Sequence, residues 1–216
     1  MLEAERERVA AAARDLAQAG LVIGTAGNVS ERNEGLVAVT PTGAMLAQVT
    51  SDQVVVVDLD GNLVDGELAP TSELELHLGA YRRYQAGAVV HTHAPMTTAL
   101  ASVLDELPVV HYQMLALGGP VRVAPYATFG TAELAELTLN ALEGRSAALM
   151  SNHGAVTLGG HLDAAIENTQ LLEWACTIYW RAASVGTPRV LHAAHWEDYH
   201  RAIAERGYHS LQRSGA

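Results

Sequence analysis

The chain has 216 residues, 49% of them hydrophobic and 17% charged, a composition typical of a globular protein and not of a disordered one. No apolar run approaches the ~20 residues that span a bilayer, and a net charge of −11 with scattered basic residues argues against nucleic-acid binding. We therefore expect one domain over residues 1–216 that binds neither nucleic acid nor a membrane.

The basic residues and the single cysteine restrict the chemistry and the compartment. All thirteen basic residues are arginines, so the chain offers neither a lysine Schiff base nor a lysine-containing phosphate loop. Carbonyl chemistry would then need a metal or another electrophile. Cys176 has no second cysteine to pair with, and the N-terminal twenty residues lack the pattern of a secretory signal. Both observations predict a cytoplasmic protein.

Helices are expected where apolar residues recur every three or four positions, and strands where short β-branched runs lie between turn residues. In chain order the sequence predicts a helix at 3–19, a glycine-rich turn into a strand at 24–30, strands at 36–40 and 54–58, a helix at 70–84, a strand at 88–93, a helix at 96–104, a strand at 122–126, a helix within 128–144, a strand–turn–strand unit at 147–159, and helices at 161–185 and 196–206. Helices alternate with strands, but short turns join several strands. The pattern predicts an α/β fold, a three-layer α/β/α sandwich with a central mixed, largely antiparallel sheet.

Three histidines form a candidate metal site. His91 and His93 stand two apart in the strand at 88–93, so alternation places them on the same face, about 7 Å apart along the backbone. His153 follows the apolar run 147–150 in the turn SNHG, where it could join them. Zinc prefers imidazole ligands, and a catalytic zinc site keeps three protein ligands and one exchangeable position. The alternative is that all three are ordinary strand and turn histidines.

The helix at 70–84 carries an acid and a further histidine. Thr71 or Ser72 is expected to cap it, with Glu75 completing a capping box. Glu73 lies in its first turn, where the helix dipole favours a carboxylate in any case. Glu73 is therefore either a capping residue or a fourth ligand or proton-transferring base. His77 lies one turn later on the same face, either beside the site or as a core or surface residue.

Three short segments offer hydroxyls and free backbone N–H groups: GTAGN (24–28), TPTG (40–43) and PTS (70–72). Such groups bind a phosphate dianion without lysine, although the same residue types also form plain turns. The third segment runs directly into Glu73, which would place a phosphate close to the candidate base. This adjacency predicts a small phosphorylated substrate.

The segments GTAGNVS, TPTG, PTSE, VVHTHA, PYATFGT and NHG occur in the order and spacing of the class II aldolase/adducin family, over essentially the whole chain. The chain resembles this family, and APYATFGT (124–131) is similar to its fuculose-phosphate aldolase branch. The resemblance implies one class II aldolase domain that cleaves a ketose 1-phosphate, L-fuculose 1-phosphate or a related deoxy-sugar phosphate, to dihydroxyacetone phosphate and a short aldehyde. A pentulose-phosphate 4-epimerase or a sugar-phosphate dehydratase on this scaffold remains the alternative. A non-catalytic module is disfavoured because all three histidines are present.

The resemblance also implies roles for the metal, base and phosphate residues. His91, His93 and His153 would hold one Zn²⁺ per subunit. Glu73 would contact the metal at rest and become the base when substrate displaces it. The residues that match the phosphate-binding segments are Gly27, Asn28, Thr42, Gly43, Thr71 and Ser72.

Other implied roles depend on a neighbouring subunit or on the substrate pocket. The family forms fourfold homotetramers with sites between subunits. Tyr112 matches a tyrosine that reaches the neighbouring site and protonates the leaving aldehyde oxygen, whereas Phe129 and Tyr208 match aromatic residues of the pocket. Asn152 stands where the fuculose-phosphate branch can carry another histidine, so the exact sugar stays open.

Overall fold

A single mixed sheet organises the computed structural model, which describes residues 1–206. In chain order its strands are β1 (Asn28–Asn33), β2 (Leu36–Val39), β3 (Val55–Asp58), β4 (Leu63–Asp65), β5 (Ala88–Thr92), β6 (Glu106–Leu107), β7 (Val121–Ala124), β8 (Ala147–Met150) and β9 (Gly154–Gly159). Across the sheet they lie in the order β4-β3-β2-β1-β5-β9-β8-β7-β6. Every neighbouring pair is antiparallel except β7 and β8, which are parallel. The predicted mixed, largely antiparallel sheet is confirmed.

Helices cover both faces of this sheet. They are α1 (Glu3–Gln18), α2 (Leu74–Tyr84), α3 (Pro95–Ala101), α4 (Ala132–Ala141), α5 (Leu162–Val185) and α6 (Ala193–Arg206). Helices α2 and α4 pack together on one face, and α1, α3 and α5 lie on the other. The three-layer α/β/α architecture is therefore confirmed. Within residues 1–206 no helix has the length and apolarity needed to cross a membrane.

The alternation of β5 decides on which face His91, the first histidine of the candidate metal site, lies. Val89 packs in the core cluster of α2 and α4, whereas Ala88 and Val90 pack in the cluster of α1. Side chains alternate along a strand, so His91 lies on the same face as Val89. That face carries α2, and the residue just before α2 is Glu73.

Two local expectations differ from the structure. Helix α2 begins at Leu74, and its N-cap residue, Glu73, makes no side-chain capping hydrogen bond, so the capping box was wrong. The segment before it is held in a loop, because the Thr71 N–H donates to the Thr40 carbonyl at 3.1 Å and Pro41 and Pro70 form an isolated β-bridge. The sequence also gave no signal for β6 or for the 3₁₀ segment Tyr112–Leu117.

Candidate active site

Strand pairing assembles the site at one end of β5. Strand β5 lies between β1 and β9, with Asn28 opposite His91 and Thr92 opposite Ala155. His153 lies in the turn just before β9, whose first residue is Gly154. A Cβ on Gly154 would lie 2.2 Å from the Thr92 carbonyl oxygen. Only glycine therefore lets this turn approach β5 closely enough to bring His153 to the other two histidines.

The three predicted histidines converge. Their ring centroids are 4.7–4.9 Å apart, and one ligand atom from each lies within 4.8 Å of the others. The Nε2 atoms of His91 and His93 are 3.0 Å apart. Two nitrogens bound to one tetrahedral zinc would be about 3.4 Å apart, given Zn–N bonds of about 2.1 Å. The spacing therefore fits a shared cation.

The protonation of the histidines also suits a metal. The Nδ1 atom of His91 lies 2.9 Å from the Ala155 carbonyl oxygen, so Nδ1 donates to that oxygen and Nε2 is the ring nitrogen that faces His93. Burial, together with the neighbouring rings of His91 and His153, lowers the pKa of His93 to about 4. Burial and His91 also lower the pKa of His153. The lowered pKa values leave a ring nitrogen of His93 and of His153 free to bind a cation.

A buried carboxylate completes the cluster. Oε2 of Glu73 lies 3.1 Å from Nε2 of His91 and accepts a hydrogen bond of 2.9 Å from the Asn28 amide. Oε1 lies 3.5 Å from Nε2 of His153 and has no hydrogen-bond partner among residues 1–206. Burial raises the pKa of Glu73, but His91, Asn28 and His153 outweigh it and hold the pKa below its usual range. An ionised carboxylate with an unpaired buried oxygen beside three imidazoles fits a divalent cation.

The three segments proposed for phosphate meet at one open pocket of about 440 Å³ beside this cluster. The Thr42 N–H donates to the Ala69 carbonyl at 3.0 Å, which joins the second segment to the third. All six predicted phosphate residues line the pocket, namely Gly27, Asn28, Thr42, Gly43, Thr71 and Ser72. Glu73, His93 and His153 line it too, whereas none of the arginines within residues 1–206 does. An anion there would be bound by hydroxyls and amides only.

Gly27 is required by the close approach of this loop to β5. Its φ is +89°, and an added Cβ would lie 2.8 Å from the His91 carbonyl oxygen. A side chain at this position would be strained and would also collide with the backbone that carries a metal-site histidine. Gly27 therefore fixes the distance between the first phosphate segment and the cluster.

The aromatic residues implied by the resemblance lie in different places. Phe129 is 70% exposed and lines the pocket. Tyr112 does not line this pocket; it lies against His111 and Tyr199. Tyr208 lies outside the described residues. Sequence reasoning missed Thr25 and Tyr126, which also line the pocket, although both stand within segments that carried the resemblance.

Known proteins similar to this chain agree with the geometry. A family model described as Class II Aldolase and Adducin N-terminal domain matches residues 7–180. The 5-deoxy-D-ribulose 1-phosphate aldolase of Bacillus thuringiensis serovar kurstaki is 39% identical over 195 residues, covering 88% of this chain and 91% of that protein. The 5-methylthioribulose-1-phosphate/5-deoxyribulose-1-phosphate aldolase of Rhodospirillum rubrum is 39% identical over 188 residues, covering 86% and 85%.

A solved structure agrees as well. An L-fuculose 1-phosphate aldolase superposes with a TM-score of 0.89 at 34% identity, covering 93% of this chain and 96% of that one. The family match spans most of the chain, and the relatives named above are all aldolases. The chain therefore belongs to the class II aldolase and adducin family, among the enzymes of that family.

Proposed function

We propose that the chain is a zinc-dependent aldolase that cleaves a ketose 1-phosphate to dihydroxyacetone phosphate and a short aldehyde. The observation that supports this most is the contact of the buried Glu73 carboxylate with His91 and His153 in the three-histidine cluster, beside a pocket lined by hydroxyls and amides. A base, a set of metal ligands and an anion subsite within one pocket are the parts that retro-aldol cleavage of a phosphorylated ketose needs.

The metal would be held by His91, His93 and His153, with Glu73 as a fourth ligand at rest. When bound, it supplies a Lewis acid that stabilises negative charge on the substrate carbonyl oxygen. Three imidazoles and one carboxylate form a donor set that suits zinc, which is the reason for proposing this metal. Because the chain contains no lysine, it cannot stabilise the same charge as an iminium.

The residues of the chain would bind the substrate and move its protons. The threonine, serine, asparagine and glycine segments hold the 1-phosphate, which sets the ketose beside Glu73. Cleavage breaks the C3–C4 bond and leaves its electron pair on the dihydroxyacetone phosphate fragment as an enediolate. Glu73 takes up a proton from solvent when the substrate displaces it, and delivers that proton to C3 through Oε1, the carboxylate oxygen that has no hydrogen-bond partner among residues 1–206. The hydroxyl of Tyr112 from a neighbouring subunit accepts the O4 proton as it releases its own to solvent, so cleavage changes no net proton count, and it donates to the aldehyde oxygen in the synthetic direction.

We propose deoxy-ketose 1-phosphates as the substrate class. Two of the relatives are named for 5-deoxyribulose 1-phosphate and a structural neighbour for L-fuculose 1-phosphate. Both sugars would release dihydroxyacetone phosphate, with acetaldehyde from the first and L-lactaldehyde from the second. A single domain over 1–216, a homotetramer and a cytoplasmic location remain predictions that accompany this proposal.

The test is an assay of the purified, zinc-loaded protein with each of the two sugar phosphates, with and without a chelator. We expect chelator-sensitive release of dihydroxyacetone phosphate. Glu73→Gln should keep the metal and lose at least about 100-fold in kcat, the scale on which a general acid–base residue contributes. Glu75→Gln, on the exposed side of the same helix, is the matched control. If the sugar phosphate is epimerised or dehydrated and no dihydroxyacetone phosphate is released, the protein is an epimerase or a dehydratase and not an aldolase.

A further inference from the structure

A chain of buried polar side chains leads from Glu73 into the core. Asn28 donates to Oε2 of Glu73, and its Oδ1 lies 2.5 Å from Nε2 of His77. Nδ1 of His77 lies 2.6 Å from Oγ of Ser30, which lies 2.5 Å from the hydroxyl of Tyr81. His77 and Ser30 are fully buried, and Tyr81 is 1% exposed. Four side chains from β1 and α2 thus form one continuous hydrogen-bonded line.

Only one direction of donation satisfies every atom of this line. An ionised carboxylate only accepts hydrogen bonds, so Asn28 must turn its Nδ2 toward Glu73 and its Oδ1 toward His77. His77 must then carry its proton on Nε2, which leaves Nδ1 to accept from the Ser30 hydroxyl. The Ser30 oxygen in turn accepts from Tyr81. The opposite tautomer of His77 would set the Asn28 carbonyl oxygen against the carboxylate, and two acceptors would face each other.

The line serves to orient groups and not to conduct protons. Burial lowers the pKa of His77 to about 3, although the Glu73 charge opposes this shift. Burial likewise raises the pKa of Tyr81. Both rings therefore stay neutral in the ordinary pH range. The far end of the line is a tyrosine in the core beneath β1 and β5, so no proton can leave to solvent there.

We propose that His77 is a positioning residue of the active site: it holds the Asn28 amide in the orientation that donates to Oε2 of Glu73, and so leaves Oε1 as the oxygen that exchanges a proton with the substrate. The catalytic part of this inference rests on the proposed function. An apolar residue would fill the same buried position without the cost of desolvating an imidazole. The polar line offsets that cost only because all of its members are paired.

The first test reads the tautomer in the metal-free protein. Nitrogen-15 NMR of the imidazole should show His77 neutral, with the proton on Nε2, from pH 5 to pH 8. A proton on Nδ1, or a protonated ring at pH 6, would overturn the proposal. This measurement needs neither metal nor turnover, so it stands even if no ketose phosphate is cleaved. Absence of aldolase activity in the wild type would remove the proposed function and not the orientation of Asn28.

The second test separates positioning from folding. His77→Phe fills the core but offers Asn28 no donor, whereas His77→Gln can still donate from its amide. We expect His77→Phe to lower kcat about 100-fold, and to slow solvent-deuterium exchange into dihydroxyacetone phosphate equally, with KM changed less than threefold. His77→Gln should recover at least tenfold of the loss. Tyr84→Phe, on the same helix but bonded to the Leu139 carbonyl and outside the line, is the control and should stay within about fivefold of the wild type.

Opposite results would refute the positioning role. If His77→Phe turns over as fast as the wild type, or if both His77 variants lose activity only in proportion to their bound zinc, Asn28 does not need His77. If His77→Phe does not fold, the comparison of His77→Gln with the wild type decides: a loss of more than about 30-fold with unchanged zinc and Tm would show that amide donation to Asn28 does not replace the imidazole.

Discussion

Helix α3 begins two residues after His93, and its first turn is held by a carboxylate from another helix. Glu173 of α5 accepts hydrogen bonds from the backbone N–H groups of Met96, at 2.9 Å, and Thr97, at 2.8 Å. The α3 N-cap residue, Ala94, has no side chain that could accept these bonds. Replacing Glu173 by alanine would leave both N–H groups to water or unpaired, at the helix end that continues from the metal-site strand.

The cost can be worked from these two bonds. A hydrogen bond to a charged group contributes about 1.5–3 kcal/mol, and a carboxylate at a helix N-terminus adds about 0.3–1 kcal/mol. Glu173 is only partly buried, so the lower values apply and water recovers part of the loss. We expect Glu173→Ala to lower the free energy of unfolding by about 2–3 kcal/mol. Glu173→Gln keeps one acceptor and should lose about half as much.

The assay is thermal unfolding of the metal-free protein, followed by zinc titration. For a chain of this size 1 kcal/mol corresponds to about 2–4 °C, so the Tm of Glu173→Ala should fall by about 5–10 °C. Its zinc affinity should fall as well, because His93 is anchored through α3. Glu167→Ala, an exposed position on the same helix, is the matched control. If Glu173→Ala unfolds within 1 °C of that control, the capping argument is refuted.

Two further predictions concern the loop at Gly27 and the pH dependence of stability. Gly27→Ala should cost about 2–3 kcal/mol, because its Cβ would meet the His91 carbonyl oxygen at 2.8 Å in a backbone with positive φ. Gly24→Ala, with positive φ but nothing within 4 Å, should cost about 1 kcal/mol, and equal urea midpoints for the two would contradict the steric argument. The pKa of His77 is about 3 in the folded state and about 6.5 in the unfolded state. Between these values the unfolded state binds one more proton than the folded state. The contribution of neutral His77 to stability is therefore fully present above pH 6.5 and is lost as the pH falls toward 3. Below pH 6.5 His77 should make the free energy of unfolding fall by about 1.4 kcal/mol per pH unit. Urea unfolding of the metal-free protein from pH 7 to pH 4 should show a smaller slope for His77→Gln than for the wild type. Equal slopes for the two proteins would disprove that His77 is buried as a neutral ring.

Sequence predicted those parts of the fold that are encoded locally. The valine run at 54–58 and the apolar run 88–93 are strands, because β-branched residues between turn signals leave few alternatives. The start of α2 was wrong for a non-local reason. Thr71 has the chemistry of a helix cap, but its Oγ1 accepts from the N–H of Glu73, the residue before the helix. Its own N–H is paired with the Thr40 carbonyl, in a loop 31 residues earlier. Strand β6 has only two residues and is defined by its pairing with β7. A pattern of alternating apolar residues cannot be recognised over so short a segment.

For the site, sequence identified residue types but not their connections. Helical spacing placed Glu73 and His77 on one face, and left open whether His77 is buried. Its actual partner, Asn28, is 49 residues away in the chain, and the packing of α2 against the face of β1 brings the two together. Tyr126 was missed for a related reason. A tyrosine in a loop has no periodic signal, and its place in the pocket depends on the path of the loop that follows β7.

In the part of the chain that the structure describes, no arginine lines the pocket, and this has a consequence for how fast the proposed substrate would arrive. The chain carries a net charge of −11, and a sugar phosphate is an anion, so the long-range field of the chain would repel the ligand proposed for this pocket. In most phosphate sites basic side chains speed up the encounter, and salt slows it by screening them. Here salt would screen a repulsion between the negative chain and the anionic ligand, so moderate salt should raise the association rate. Selectivity for phosphate would then depend on oriented amides and hydroxyls, which act only at short range.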